Sequence, residues 1–461
     1  MVMAELIHSL SYEGELQNRI QGDVLVPGNE AYENARKAWN LNVDQYPAVI
    51  LVAESARDIA EGVQYARDMG LGVAVQSTGH GITLEANDCL LITTSKLNEV
   101  EINEVQQTAW IGAGVVWADV LEKAQAHGLA PLLGSSSAVG AVGYTLGGGM
   151  GWLARKHGLS ADSALEFEVV TADGRLIFTN ETENSEMYWV LRGGGGSFAI
   201  VTSMKIKLYP ITEIYGGTMI YPAEEAKPAL NFYREWIHFL PEDWTTSFAI
   251  MNFPPIPDLP PFLSGKSVVM INGCYSGEDL NAGAMMAQAW LDWKQPITNS
   301  FRRMPFKEID SISNDPKDPS AGKSSGAWLK ELDEDTIEAL VENAIGSPIM
   351  KFEVRYAGGA VSHTHNNAFG HRDAKHIMQM LAITPTKEAL TQAEADIADF
   401  KRVMAPHLTG GVYMNFLEGK ESRQETRNGY PTDKFERLMI LKAKFDPDNI
   451  FRFGFNIPPK R

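Results

Sequence analysis

Apolar runs and helical stripes alternate from residue 48 onward. Ala48–Ala53 (AVILVA) is a short apolar run behind a turn-prone Tyr-Pro, which predicts a strand. Ile59, Val63 and Ala66 recur at helical spacing within Ser55–Asp68, and Leu71–Val75 (LGVAV) predicts the next strand, closing a β-α-β unit. Leu90–Thr93 and Ala109–Ile111 are further apolar stretches, and a helix over Val116–His127 ends at Gly128, where a C-terminal capping glycine would sit. Glu166–Thr171 and Arg175–Phe178 flank Asp173-Gly174, the favoured pair for a tight hairpin turn. Phe198–Leu208 predicts another strand.

Beyond Pro210 the texture changes. Residues 212–345 lose the glycine clusters, carry the Pro-rich loop Pro254–Pro261 and the polar stretch Ser311–Ser325, and hold helical stripes over Ala229–Phe239 and Leu280–Trp293. A domain boundary near 210 follows. The tail, Gly411–Pro459, reads as strand, then helix, then a Pro/Asn-rich end.

Composition narrows the function. The 461 residues allow two or three structural units, and 44% hydrophobic residues supply a large core. Forty Lys+Arg against 58 Asp+Glu give a net charge of −18, which argues against a nucleic-acid partner. Cys89 and Cys274 are the only two cysteines, so a Cys-rich zinc module is excluded. The first 19 residues lack a signal-like apolar core, and no run of about 18 apolar residues occurs. A soluble, cytoplasmic protein without a membrane span is the expectation.

The 41 glycines cluster where chemistry is expected. Val75–Gly81 (VQSTGHG) ends a strand in small residues that let successive backbone N–H groups converge on an anion, with His80 inside the turn. Gly134–Gly151 (GSSSAVGAVGYTLGGGMG) is too glycine-rich to predict a packed helix or central strand; it suits a backbone lying against a long phosphate-bearing ligand. Val139, Tyr144, Leu146 and Trp152 interleave apolar anchors, unlike a flexible linker. Neither the G-x-G-x-x-G dinucleotide fingerprint nor a P-loop is present, which disfavours a nicotinamide dehydrogenase. Arg192–Ser197 (RGGGGS) is a third, weaker cluster.

Taken in order, these segments resemble the berberine bridge enzyme-like oxidases of the vanillyl-alcohol oxidase, or PCMH-type, FAD superfamily. VQSTGH is similar to the family's flavin-attachment loop. GAVGYTLGGGMGWLARKHGLSADSALEFEVVTADG, WVLRGGGGSFAIVT and the C-terminal VYMNFL and FDPDNIFRFGFNIPP also match. The match covers about 40–210 and 345–461; residues 212–345 match little. The resemblance implies an α+β protein: a PCMH-type FAD-binding domain of two subdomains, plus a substrate domain of antiparallel sheet and helices. The implied boundaries are 1–210 and 411–461 for the FAD domain and 211–410 for the substrate domain.

By the same resemblance, His80 is the covalent attachment point for FAD. Ser77, Thr78, Gly79 and Gly81 wrap the pyrophosphate, although Gln76 replaces a usual basic residue and Thr78 a glycine. Gly140, Gly143, Gly147, Gly148 and Gly149 pack against the ribityl-diphosphate chain, and Val201 lies on the adenine side. Ser136 stands where some members carry a second, cysteine tether, so with its neighbour Ser137 it belongs to the cofactor segment without a thioether; FAD should hang from His80 only. Val139 occupies a position that gates oxygen, and valine there is associated with oxidases. Tyr413 and Asn415 are two apart on an expected strand, so they share a face, Asn415 toward the flavin and Tyr413 toward the substrate.

The strand Met350–Tyr356 (MKFEVRY) puts Lys351, Glu353 and Arg355 on one face. That face reads either as a solvent-facing charged stripe or, with the family's roofing strand in mind, as a substrate-facing group in which Glu353 is base or anchor. His363, His365 and His371 are sequence-level metal candidates, but the family carries a similar His-Arg-Asp-Ala run without metal. The expected activity is hydride transfer from an alcohol, sugar or amine C–H to flavin, with Tyr413 or Glu353 as base and O2 giving H2O2. The rivals are an FAD dehydrogenase using another acceptor and a catalytically idle flavin-binding protein.

Overall fold

The computed structural model describes residues 14–363 and 365–460. Its framework is three sheets. The first has the order Asp23–Leu25, Val49–Val52, Leu90–Thr93, Val73–Gln76; its first pair is antiparallel and the others parallel. The helix Ala56–Asp68 crosses between two of its parallel strands, capped by Ser55, whose side chain accepts the Asp58 N–H. Ile59, Val63 and Ala66 are buried in the core of this sheet, as the helical spacing requires.

A second, antiparallel sheet runs Val100–Asn103, Thr108–Gly112, Ala199–Lys207, Ala164–Thr171, Leu176–Asn180. The expected Asp173-Gly174 hairpin joins its last two strands, with Gly174 at φ +77°.

The third sheet has eight antiparallel strands, all drawn from residues 213–383. Its central strand Lys351–Tyr356 lies between Trp244–Asn252 and His376–Ile383. Phe352 and Val354 point into a core shared with the helices Ala226–Trp236, Leu280–Trp293, Glu334–Ala344 and Lys387–Met404. The helices therefore cover one face of the sheet. The other face carries Lys351, Glu353 and Arg355.

After Met404 the chain returns to the first 210 residues. Val73 N–H donates to the Ile450 carbonyl, and the buried Lys442–Asp446 pair ties the last helix, Thr432–Phe445, to the Ser197 carbonyl. Two local expectations are corrected. The tail holds no strand: Met414–Phe416 is a single tight helical turn, followed by helices. Its backbone bonds turn-wise, Phe416 N–H to the Tyr413 carbonyl and Leu417 N–H to the Met414 carbonyl. The neighbouring strand Gly322–Leu329 exchanges backbone bonds with the chain ahead of it, Trp328 N–H to the Gly411 carbonyl and Thr409 N–H to the Trp328 carbonyl. The glycine-rich run does hold a short helix, Ala141–Leu146, because its apolar residues pack into the core and Gly140 and Gly147 confine it at either end. Among the described residues no helix is long and apolar enough to cross a membrane.

Candidate functional site

The 76–82 loop is fastened from behind. Gly79 has φ +81°, and a Cβ there would lie 2.8 Å from the Cα of Ala38, so only glycine lets the two backbones meet. Trp39 N–H donates to the Thr78 carbonyl at 3.0 Å. This contact stacks the Trp39 ring on His80, centroids 4.1 Å apart. The His80 Nδ1 is 2.8 Å from Thr78 Oγ1, fixing the ring rotation. Burial pushes His80 down to about 4, so its imidazole is neutral with a free lone pair at physiological pH.

Two adjoining cavities meet at this loop. One is walled by Val73, Ala113, Ile200, Val201 and Phe451. The other, the larger of the two, holds His80, Gly140, Tyr144, Lys351, Arg355, Tyr413 and Asn415. They share Ser77, Gly81 and Gly143, which form a waist. A Cβ at Gly81 or Gly143 would meet nothing within 4 Å, so both glycines face open space. The Ser77 Oγ and the Tyr144 hydroxyl are buried without a hydrogen-bond partner among the described residues. An extended two-lobed ligand with an apolar flat end and a polar middle fits this cavity, and FAD has that form. Among the described residues no Lys or Arg lines the first lobe. Gln76 is spent elsewhere: its Nε2 donates to the Lys37 carbonyl and its Oε1 accepts from Gln45.

Over the second lobe lies the third sheet. Lys351 and Arg355 line the cavity, while Glu353 sits between them, 3.2 Å from Lys351 Nζ and 2.9 Å from Arg355. Only 3% of Glu353 is exposed, which rules out the solvent-facing reading of this strand. Burial alone would raise its carboxyl, but Arg355 and Lys351 outweigh it and bring it down to about 2. Glu353 itself does not line the cavity.

Tyr413 and Asn415 converge without a strand. The Tyr413 hydroxyl oxygen accepts from Gly149 N–H, Met150 N–H and Asn415 Nδ2, each at 3.1 Å. Asn415 also donates to the Tyr144 carbonyl. Burial holds Tyr413 up at about 12, against the lowering effect of those donors and of Arg355.

Several expected cofactor residues sit elsewhere. Gly147, Gly148 and Gly149 do not line either lobe; Gly147 packs against Asn415 of the tail, Gly148 against Phe369, and Gly149 against Ser160 and Tyr144. Ser137 turns away, its Oγ and N–H both bonded to Asp310, because that carboxylate satisfies both donors at once. Ser77, Thr78, Gly79, Ser136, Val139 and Gly140 do line the second lobe, and Val201 the first. No His/Cys/Asp/Glu group among the described residues is arranged to hold a metal; His371 bonds the Asn428 carbonyl, and both cysteines are buried and free.

Sequence reading missed Trp39, Gln379 and Glu418 in the second lobe. Glu418 accepts from Ser324 N–H and Asn40 Nδ2, and burial raises it to about 7 against those bonds and Lys323. Its signal was available, a carboxylate three residues after Asn415. Trp39 and Gln379 had none, since each reaches the site from a remote segment.

Comparison with known proteins adds the following. Residues 47–180 match the model of an FAD binding domain, and residues 412–458 the model described as berberine and berberine like. The chain is 26% identical to an FAD-linked oxidoreductase of Dictyostelium discoideum, over 96% of each chain. It is also 26% identical to (R)-6-hydroxynicotine oxidase of Paenarthrobacter nicotinovorans, over 96% of this chain and 97% of that one. The glucooligosaccharide oxidase of Acremonium strictum superposes with a TM-score of 0.84 at 20% identity over 98% of each chain. That similarity speaks to the fold.

Proposed function

Because the chain belongs to the berberine bridge enzyme-like FAD-linked oxidoreductases, we propose that it is an oxidase of small molecules carrying FAD tethered through His80 alone. The observation that carries this reading is the continuity of the two-lobed cavity. An apolar lobe, a glycine-lined waist and a lobe bearing both His80 and Tyr413 follow one another. FAD, when bound, supplies the acceptor for a hydride from the substrate. The chain's residues supply the rest.

Ser77 and the open backbone at Gly81 and Gly143 would hold the diphosphate by hydrogen bonds, in place of a cation at position 76. The neutral His80, oriented by Trp39 and Thr78, is the nucleophile for the tether. Ser136 has no thiol for a second one. Tyr413 accepts the proton from the substrate O–H or N–H in its ionised, phenolate form, having first lost its own proton to solvent. Its oxygen already faces three N–H donors and the Arg355 field, which stabilise charge developing there. Glu353, held ionised at about 2, is too weak a base at neutral pH; it fixes Lys351 and Arg355 over the substrate. The substrate is an alcohol, a sugar or an amine, and O2 takes the electrons to give H2O2. Val139 in the second lobe supports O2 as the acceptor.

Two measurements test the reading. Acid-precipitated protein should retain its yellow colour in the pellet, and His80→Ala should lose it while Ser136→Ala does not. A donor screen for anaerobic bleaching, followed by H2O2 assay in air, should find a donor that yields peroxide. Bleaching without peroxide would instead indicate a dehydrogenase, and no bleaching with any donor an idle flavoprotein.

A further inference from the structure

Beside the substrate lobe, and sharing Ser135, Met150 and Arg355 with it, lies a small pocket with room for about one water-sized occupant, lined also by Trp152, Arg155, Thr245, Thr246 and Tyr356. Its chemistry differs from the rest of the interior. Arg155 is 3% exposed, yet it forms no ion pair with any described carboxylate. Its guanidinium donates to the Pro241 and Trp244 carbonyls and lies over the Tyr356 ring. Glu242 adds only a through-space attraction. Arg355, the second guanidinium of this cavity, already shares Glu353 with Lys351 and reaches Gln379 at 3.3 Å.

Three N–H groups on the lining residues are buried with no partner among the described residues: Trp152 Nε1, Arg155 Nε and Arg355 Nε. All three can only donate. An occupant that satisfies them must accept hydrogen bonds, and an anion does so while also balancing the unpaired buried cation. No carboxylate side chain lines the cavity.

We infer that this cavity is a binding site for a small monovalent inorganic anion such as chloride, held by Trp152, Arg155 and Arg355. Its occupant braces the far side of Arg355, whose near side lines the substrate lobe. The site does not depend on the identity of the substrate or on O2 as acceptor.

The test uses flavin-loaded protein crystallised with bromide in place of chloride. An anomalous peak within hydrogen-bonding reach of Trp152 Nε1 and Arg155 Nε is expected. In solution, chloride and bromide should raise the thermal midpoint above that in gluconate, a bulky anion, at equal ionic strength. Trp152→Phe keeps an aromatic ring and removes one donor, so it should weaken the bromide effect about tenfold. Arg155→Met should abolish it; should that variant fail to fold, Trp152→Phe and the anomalous map decide alone. Bromide confined to the surface overturns the site. So does a midpoint that follows ionic strength regardless of the anion, or a bromide effect that Trp152→Phe leaves unchanged.

Discussion

At the residue scale, three groups at or just behind the second lobe divide the pH range between them. Glu353 lies at about 2, Glu418 at about 7 and Tyr413 at about 12. With Tyr413 as proton acceptor, kcat/KM should climb with pH through neutrality without levelling near 7. A plateau near 7 in the pH–rate profile would point to Glu418 instead. Tyr413→Phe should lower kcat by roughly a hundredfold or more, with flavin content unchanged, as expected for loss of a general base. Glu418 also makes a stability prediction. Its unfolded carboxyl titrates near 4.5 and the folded one near 7, so the folded state binds the extra proton between those values. Stability therefore falls as pH rises through that window. Glu418→Gln should flatten this fall in denaturant titrations across the same range.

At the element scale, the glycine run divides its work: Gly134, Gly140 and Gly143 line the cavity, and Gly147 and Gly148 let the tail residues Asn415 and Tyr413 approach. A Cβ on Gly147 would collide with Asn415 Oδ1, and the Nδ2 of the same amide donates to the Tyr413 hydroxyl. Gly147→Ala should displace Asn415, lowering both turnover and the fraction of flavin retained in acid; a variant unchanged in both would show that this approach is unimportant. The strand Lys351–Tyr356 was legible in its alternation, and that alternation put its three charges on one face. What that face looks at was not legible, because a strand's period says which residues share a side but not which side is wet. The tail shows the opposite case. Tyr413 and Asn415 do meet, but in a tight turn, where an i, i+2 spacing brings groups together for a different geometric reason.

At the scale of the whole molecule, the site lies where the flavin-domain loops, the third sheet and the returning tail meet, and its burial reaches other groups. His157 and His376 are both held down at about 4 by burial, whereas an unfolded histidine titrates near 6.5. Between those values the unfolded state binds more protons, so stability is lost as pH falls through that window. The double variant His157→Gln/His376→Gln should unfold with a weaker pH dependence there, measured by thermal midpoint. The β-α-β unit at 48–75, the Asp173-Gly174 hairpin and the alternation of the strand Lys351–Tyr356 follow from the sequence by itself, since local periodicity and turn chemistry are properties of the chain in one dimension. Which face of the roofing strand is buried, the stacking of Trp39 on His80, the entry of Glu418 and the donor-lined cavity behind Arg355 were decided by tertiary structure. Each joins segments tens to hundreds of residues apart, and desolvation, which sets their charge states, exists only once those segments close on one another.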